Sequence, residues 1–178
     1  MILILMSIRH SIAQKTNEYI LFRNKSASVV CTIHRSNQLG LPKDIYDIKA
    51  VFVIRHLNKV ENITIDLGES YSDELVLGVY SFTDEKKKQM FISTNLGRRS
   101  TYIFDYVNGE IISIYKRTNG RILVKPIAGK MKIFNIKEYW PKNQWDDKDF
   151  SGSYSVDEKN GIKSRQLRWS GSGFKVVN

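Results

Sequence analysis

The sequence predicts a mainly β protein, or α+β counting one short helix, folded as an antiparallel barrel or sandwich of consecutive hairpins. Three observations predict it. Between residues 73 and 137 six short strand-like runs follow one another, separated by turns or charged tips, as in all-β domains. The nine Tyr, eight Phe and three Trp fall largely in such runs, and aromatic side chains pack well on a pleated, half-buried surface. The dipeptide Asn108-Gly109 joins two of the runs, and its residue types suit a hairpin turn that needs positive φ at both positions. At 178 residues with 42% apolar content, the chain is expected to form one domain, 1–178, with its own core.

Residues 1–13 open on the apolar run Met1-Ile2-Leu3-Ile4-Leu5-Met6 and continue with Ile8, Ile12 and Ala13 among polar residues. This spacing predicts a short N-terminal helix with one apolar face. Residues 19–23 and 28–34 are two strand-like runs joined by Asn24-Lys25-Ser26-Ala27, the pattern of a hairpin. The turn-rich stretch 36–42 ends in Pro42, and 42–48 is expected to make one or two helical turns with Pro at the first position. Residues 50–56 form a continuous apolar run of strand length, expected to be buried on both faces. Residues 63–67 alternate, as a half-exposed strand would.

The hairpin ladder follows. Strands are expected at 74–82, 90–94, 101–107, 110–117, 121–125 and 130–139, with a charged tip at 83–88 and a basic loop at 95–100. Thr118-Asn119-Gly120 repeats the turn device of Asn108-Gly109. From 140 to 161 the residues become polar and acidic, which predicts a long loop. Two closing strands, 165–169 and 174–177, flank Ser170-Gly171-Ser172-Gly173.

The net charge is +10, of which the segment 73–137, with twelve Lys/Arg against six Asp/Glu, supplies +6. A positive sheet surface points to a polyanionic partner, DNA or RNA. The first expectation is therefore a nucleic-acid-binding protein with a basic β-sheet surface, and its small size and lack of a metabolic motif fit a phage or mobile-element origin. A nuclease or nucleic-acid-directed toxin is the first alternative. A protein-interaction or inhibitor module with an acidic protein partner is the second. The lone cysteine, Cys31, allows no intramolecular disulfide, and the chain reads as cytoplasmic. No apolar run is long enough to cross a bilayer as a helix, so no membrane association is expected. No Walker loop, dinucleotide fingerprint, nucleophile elbow or zinc spacing occurs, and no cofactor or metal site is expected.

The binding residues expected from the ladder are Arg98, Arg99, Lys116, Arg117, Arg121 and Tyr115. Guanidiniums make bidentate bonds to phosphate, and an aromatic ring on an open sheet stacks on a base. Alternation places Tyr102, Phe104 and Tyr106 on one side of their strand, either as part of this surface or facing the core. For catalysis the expected groups are His34, His56 and Arg35. Metal-independent cleavage needs a base, an acid and a cation on the phosphate, and both histidines end apolar runs that could meet at one sheet edge. The acidic pairs Asp105/Glu110 and Asp66/Glu69 are the remaining places where a cation could bind, each also explained by its turn.

Overall fold

The computed structural model describes residues 17–37, 42, 44–71, 74–96, 98–128, 134–144 and 154–177. The expected helix over 1–13 lies outside the described residues, as do residues 145–153 of the expected polar loop.

The protein is mainly β and antiparallel, as predicted, and its strands form three sheets, none closed into a barrel. The first contains β1 (Glu18–Arg23), β2 (Ala27–Ser36), β3 (Ile45–His56) and β4 (Lys59–Tyr71) in sequential order. The second contains β5 (Val76–Tyr80), β6 (Gln89–Leu96), β7 (Arg98–Val107) and β8 (Glu110–Gly120), also sequential. The third contains β9 (Leu123–Ala128), β10 (Phe134–Pro141), β11 (Ser155–Asp157), β12 (Ile162–Trp169) and β13 (Phe174–Val177). Its order is β11-β12-β10-β9, and β13 also pairs with β12.

Local chemistry sets the turns. Asn24 Oδ1 accepts from the backbone N–H of Ser26 and Ala27, closing the β1–β2 hairpin. Asn108 and Gly109 sit at φ 52° and 95°, the conformation that the sequence required of them. Asp84 Oδ1 accepts from the N–H of Lys86 and Lys87 in the charged tip.

Several expectations change, among them the expected turn at 118–120, which is the end of β8. The stretch expected to be helical, 42–48, is largely strand, because β3 begins at Ile45. Ile45 and Ile48 are both buried, and their i,i+3 spacing imitates a helix face. The spacing joins two faces of a regular strand: Ile48 alternates with Tyr46, Ala50 and Phe52 in the first core, and Ile45 lies on the opposite face. A β-bulge in β4 stands beside Ile48. The register passes from Asp47↔Glu69 to Lys49↔Asp66, leaving Ile48 opposite Leu67 and Gly68, and Gly68 stands at φ 76°. The polar stretch 140–161 is not one loop either. It holds the end of β10, a 3₁₀ turn at Lys142–Gln144, and β11.

The second sheet is covered on both faces. Met90, Ile92 and Phe104 point to the first sheet and pack with Cys31, Ile48, Ala50 and Phe52. The intervening Phe91 and Ile103 point the other way and pack with Ile136, Trp140 and Leu167 of the third sheet. The sheets are also tied by hydrogen bonds. Asn95 N–H donates to Ser70 Oγ at 2.9 Å between the first and second, and Phe134 N–H donates to the Ser81 carbonyl at 2.8 Å between the second and third.

Candidate functional site

The catalytic arrangement expected from sequence is not assembled. His56 pairs with Ala27, whereas His34 pairs with Lys49 seven residues farther along β2. At roughly 3.3 Å per residue the histidines lie about 23 Å apart, at opposite ends of the hairpin. Arg35 stays with His34. Of the acidic pairs, Asp105 is buried and ion-paired to Lys87 Nζ at 2.7 Å. Among the described residues no three His, Cys, Asp or Glu side chains come together.

The expected binding residues are divided by the pleat. Lys116 pairs with Tyr102 and Arg117 with Thr101, so the two cations project from opposite faces of the second sheet. Of the expected basic loop, residues 98–100 belong to β7, where Arg99 pairs with Asn95 on one side and Gly120 on the other. Arg98 opens the same strand, and Arg121 follows β8. Arg117 and Arg121 are engaged within the protein.

The aromatic rings face inward. Tyr102, Phe104 and Tyr106 pack in the first core, with Tyr102 stacked on Phe104 at 5.6 Å and 7°. Tyr115 packs in the second core against Phe174, and its hydroxyl donates to Glu138 Oε1 at 2.6 Å. Glu138 Oε2 in turn accepts from Arg165 Nε at 2.6 Å. Burial, and then the neighbouring Glu138 carboxylate, push the Tyr115 hydroxyl far above its ordinary pKa. This triad joins β8 to β10 and β12 by satisfying a buried carboxylate.

A different surface carries unpaired charge. In the third sheet Val124, Ile136, Trp140 and Leu167 face the core, so the alternate residues face outward. Across β9 and β10, Lys125 is directly opposite Lys137. Across β12 and β13, Arg168 is directly opposite Lys175. Lys137 is also opposite Gln166, which places all four cations on one face. Among the described residues none of the four is in an ion pair with a carboxylate. Tyr139 lies on the same face with Lys125 Nζ over its ring, 5.4 Å from the centroid. At the margin, Asp157 on β11 is held below its ordinary pKa first by the Asn160 side chain and in smaller part by Lys137.

The edge of this face is broken. β11 and β13 lie end to end along one edge of β12, with Ser155 opposite Ser164 and Val177 opposite Gln166. Arg165 falls between the two registers. A cleft of about 430 Å³ opens there, lined by Lys137, Tyr154, Ser155, Ser164, Gln166 and Val177 among others.

Local charge pointed to half of this surface, since Lys125 and Lys137 fall within the positive segment 73–137, but not to Arg168 and Lys175, because residues 138–178 are nearly neutral. The signal it did contain is the Ser170-to-Gly173 turn, which brings Arg168 opposite Lys175.

No known protein family, curated protein or solved structure matches this chain.

Proposed function

We propose that the protein binds nucleic acid through the outward face of its third sheet. The observation that carries this reading is the pair of like-charge cross-strand neighbours, Lys125 with Lys137 and Arg168 with Lys175, on one face. Like charges directly opposite each other destabilise a sheet. Two such pairs on one face form a surface that gains stability when an anion neutralises it. A phosphodiester backbone is such an anion, with charges repeated at regular spacing along a chain. Tyr139, beside the Lys125/Lys137 row on the side away from Arg168 and Lys175, adds a ring on which a base can stack, the combination by which sheet surfaces hold nucleic acid.

The test is to replace all four cations, Lys125→Gln, Lys137→Gln, Arg168→Gln and Lys175→Gln, and measure binding of labelled single-stranded and duplex oligonucleotides over a salt series. Affinity is expected to fall at least about tenfold. The log–log salt slope should shrink by roughly 0.7–0.9 for each phosphate that the variant no longer neutralises. The melting temperature should stay level or rise by a few degrees, since relieving each repulsion contributes roughly 0.2–1 kcal/mol. A parallel variant, Arg99→Gln with Arg117→Gln, tests the second sheet. If that variant fails to bind and the fourfold one still binds, the nucleic acid lies on the second sheet instead.

A further inference from the structure

The edge cleft adds a ligand class to the basic face. We propose that it is a nucleotide subsite, taking one nucleoside phosphate unit of a single strand whose remaining phosphates lie on the four cations. This rests on the nucleic-acid reading above but carries its own test.

The cleft exists because two short edge strands share one side of β12 without meeting opposite Arg165. Its lining is amphipathic in the way a nucleotide requires. Lys137, from the Lys125/Lys137 pair, reaches into the lining and makes the cleft continuous with the charged face. The Ser155 and Ser164 hydroxyls, side by side across the register, are donors for phosphate or ribose oxygens. Gln166 supplies an amide that can both donate to and accept from a base edge. Tyr154 offers a ring wall, backed by Lys163 Nζ at 4.7 Å from its centroid. Val177 supplies an apolar wall.

Volume agrees with this chemistry. About 430 Å³ lies in the range of small-ligand sites, roughly 300–1,000 Å³. That volume suits a single nucleotide and not a base pair with its backbones. A duplex would have to lie across the face and leave the cleft empty. The subsite therefore selects single strands.

Adenosine monophosphate, adenosine and inorganic phosphate are titrated separately into the full chain and followed by backbone amide shifts. The monophosphate is expected to shift Ser155, Ser164 and Gln166, with saturation at lower concentration than either fragment. Ser164→Val and Tyr154→Ala should each weaken it by about tenfold, and should weaken an eight-nucleotide single strand while leaving duplex binding within about twofold. Gln166→Ala serves as a third variant should either of the first two fail to fold. Shifts confined to Lys125, Arg168 and Lys175, or equal weakening of single strand and duplex, would overturn the subsite and leave the basic face standing. Monophosphate in the cleft with no oligonucleotide bound would overturn the nucleic-acid reading and leave a nucleotide site.

Discussion

Cys31 is the single residue whose chemistry the fold changes most simply. It is fully buried between the first and second sheets, and burial pushes its thiol from 9.0 up to about 12. A folded-state pKa that is raised keeps its stability below the unfolded value and loses it as pH climbs toward the folded value. The window for Cys31 is therefore about pH 9 to 12, with a limiting slope of roughly 1.4 kcal/mol per pH unit. Urea melts between about pH 8 and 9.5, short of the ordinary tyrosine pKa near 10 above which Tyr115 adds its own loss, should show stability falling in the native chain. Cys31→Ala should start lower because of its cavity yet show a flatter slope, and an identical slope would remove Cys31 as the cause. The burial of Cys31 was legible in the sequence, from its place in an apolar run. The outward cations Arg168 and Lys175 were not. Arg168 and Lys175 share the C-terminal segment with Glu138, which is buried under Tyr115 and Arg165, and with Asp157, which is turned to Asn160. A net charge counts both acids against the lysines, whereas the fold buries Glu138 away from the face and leaves Asp157 only at its margin.

At the scale of elements, turns were legible and irregularities were not. Asn108-Gly109 announces itself because few residue types accept positive φ twice in succession. The β3–β4 bulge does not, because Gly68 lies within an otherwise ordinary strand. Nothing lies within 4 Å of a Cβ built on Gly68, so its conformation alone sets the cost of a side chain. Gly68→Ala should destabilise by about 1–2 kcal/mol, lowering the melting temperature by roughly 2–8 °C in a chain of this size. Gly68→Asn should cost less, since Asn tolerates left-handed backbone. Equal melting temperatures for Ala and the native glycine would mean that the bulge relaxes to a regular register. The histidine pair failed for a related reason. His56 ends β3 and His34 lies two residues short of the end of β2, but antiparallel pairing sends the ends of successive strands in opposite directions.

Over the whole molecule, the shared central sheet couples two cores that are separate in space. Removal of β6 and β7 would strip the inner faces of both outer sheets at once, since Met90 and Phe104 serve one core and Phe91 and Ile103 the other. Denaturant unfolding should therefore be one transition. Tryptophan emission, in which Trp140 and Trp169 report the third sheet, should move with the reactivity of the Cys31 thiol, which reports the first. Midpoints that separate would show the outer sheets unfolding independently. The double coverage also bears on how the sequence can drift over generations. Strands with one wet face, such as β12, keep every second position open to substitution. In β6, Met90, Phe91 and Ile92 are all fully buried in succession, which closes both sets of positions. Descendants of this chain should diverge first on the rim of the third sheet and last along β6, so ancestry would be traced through its least visible strand.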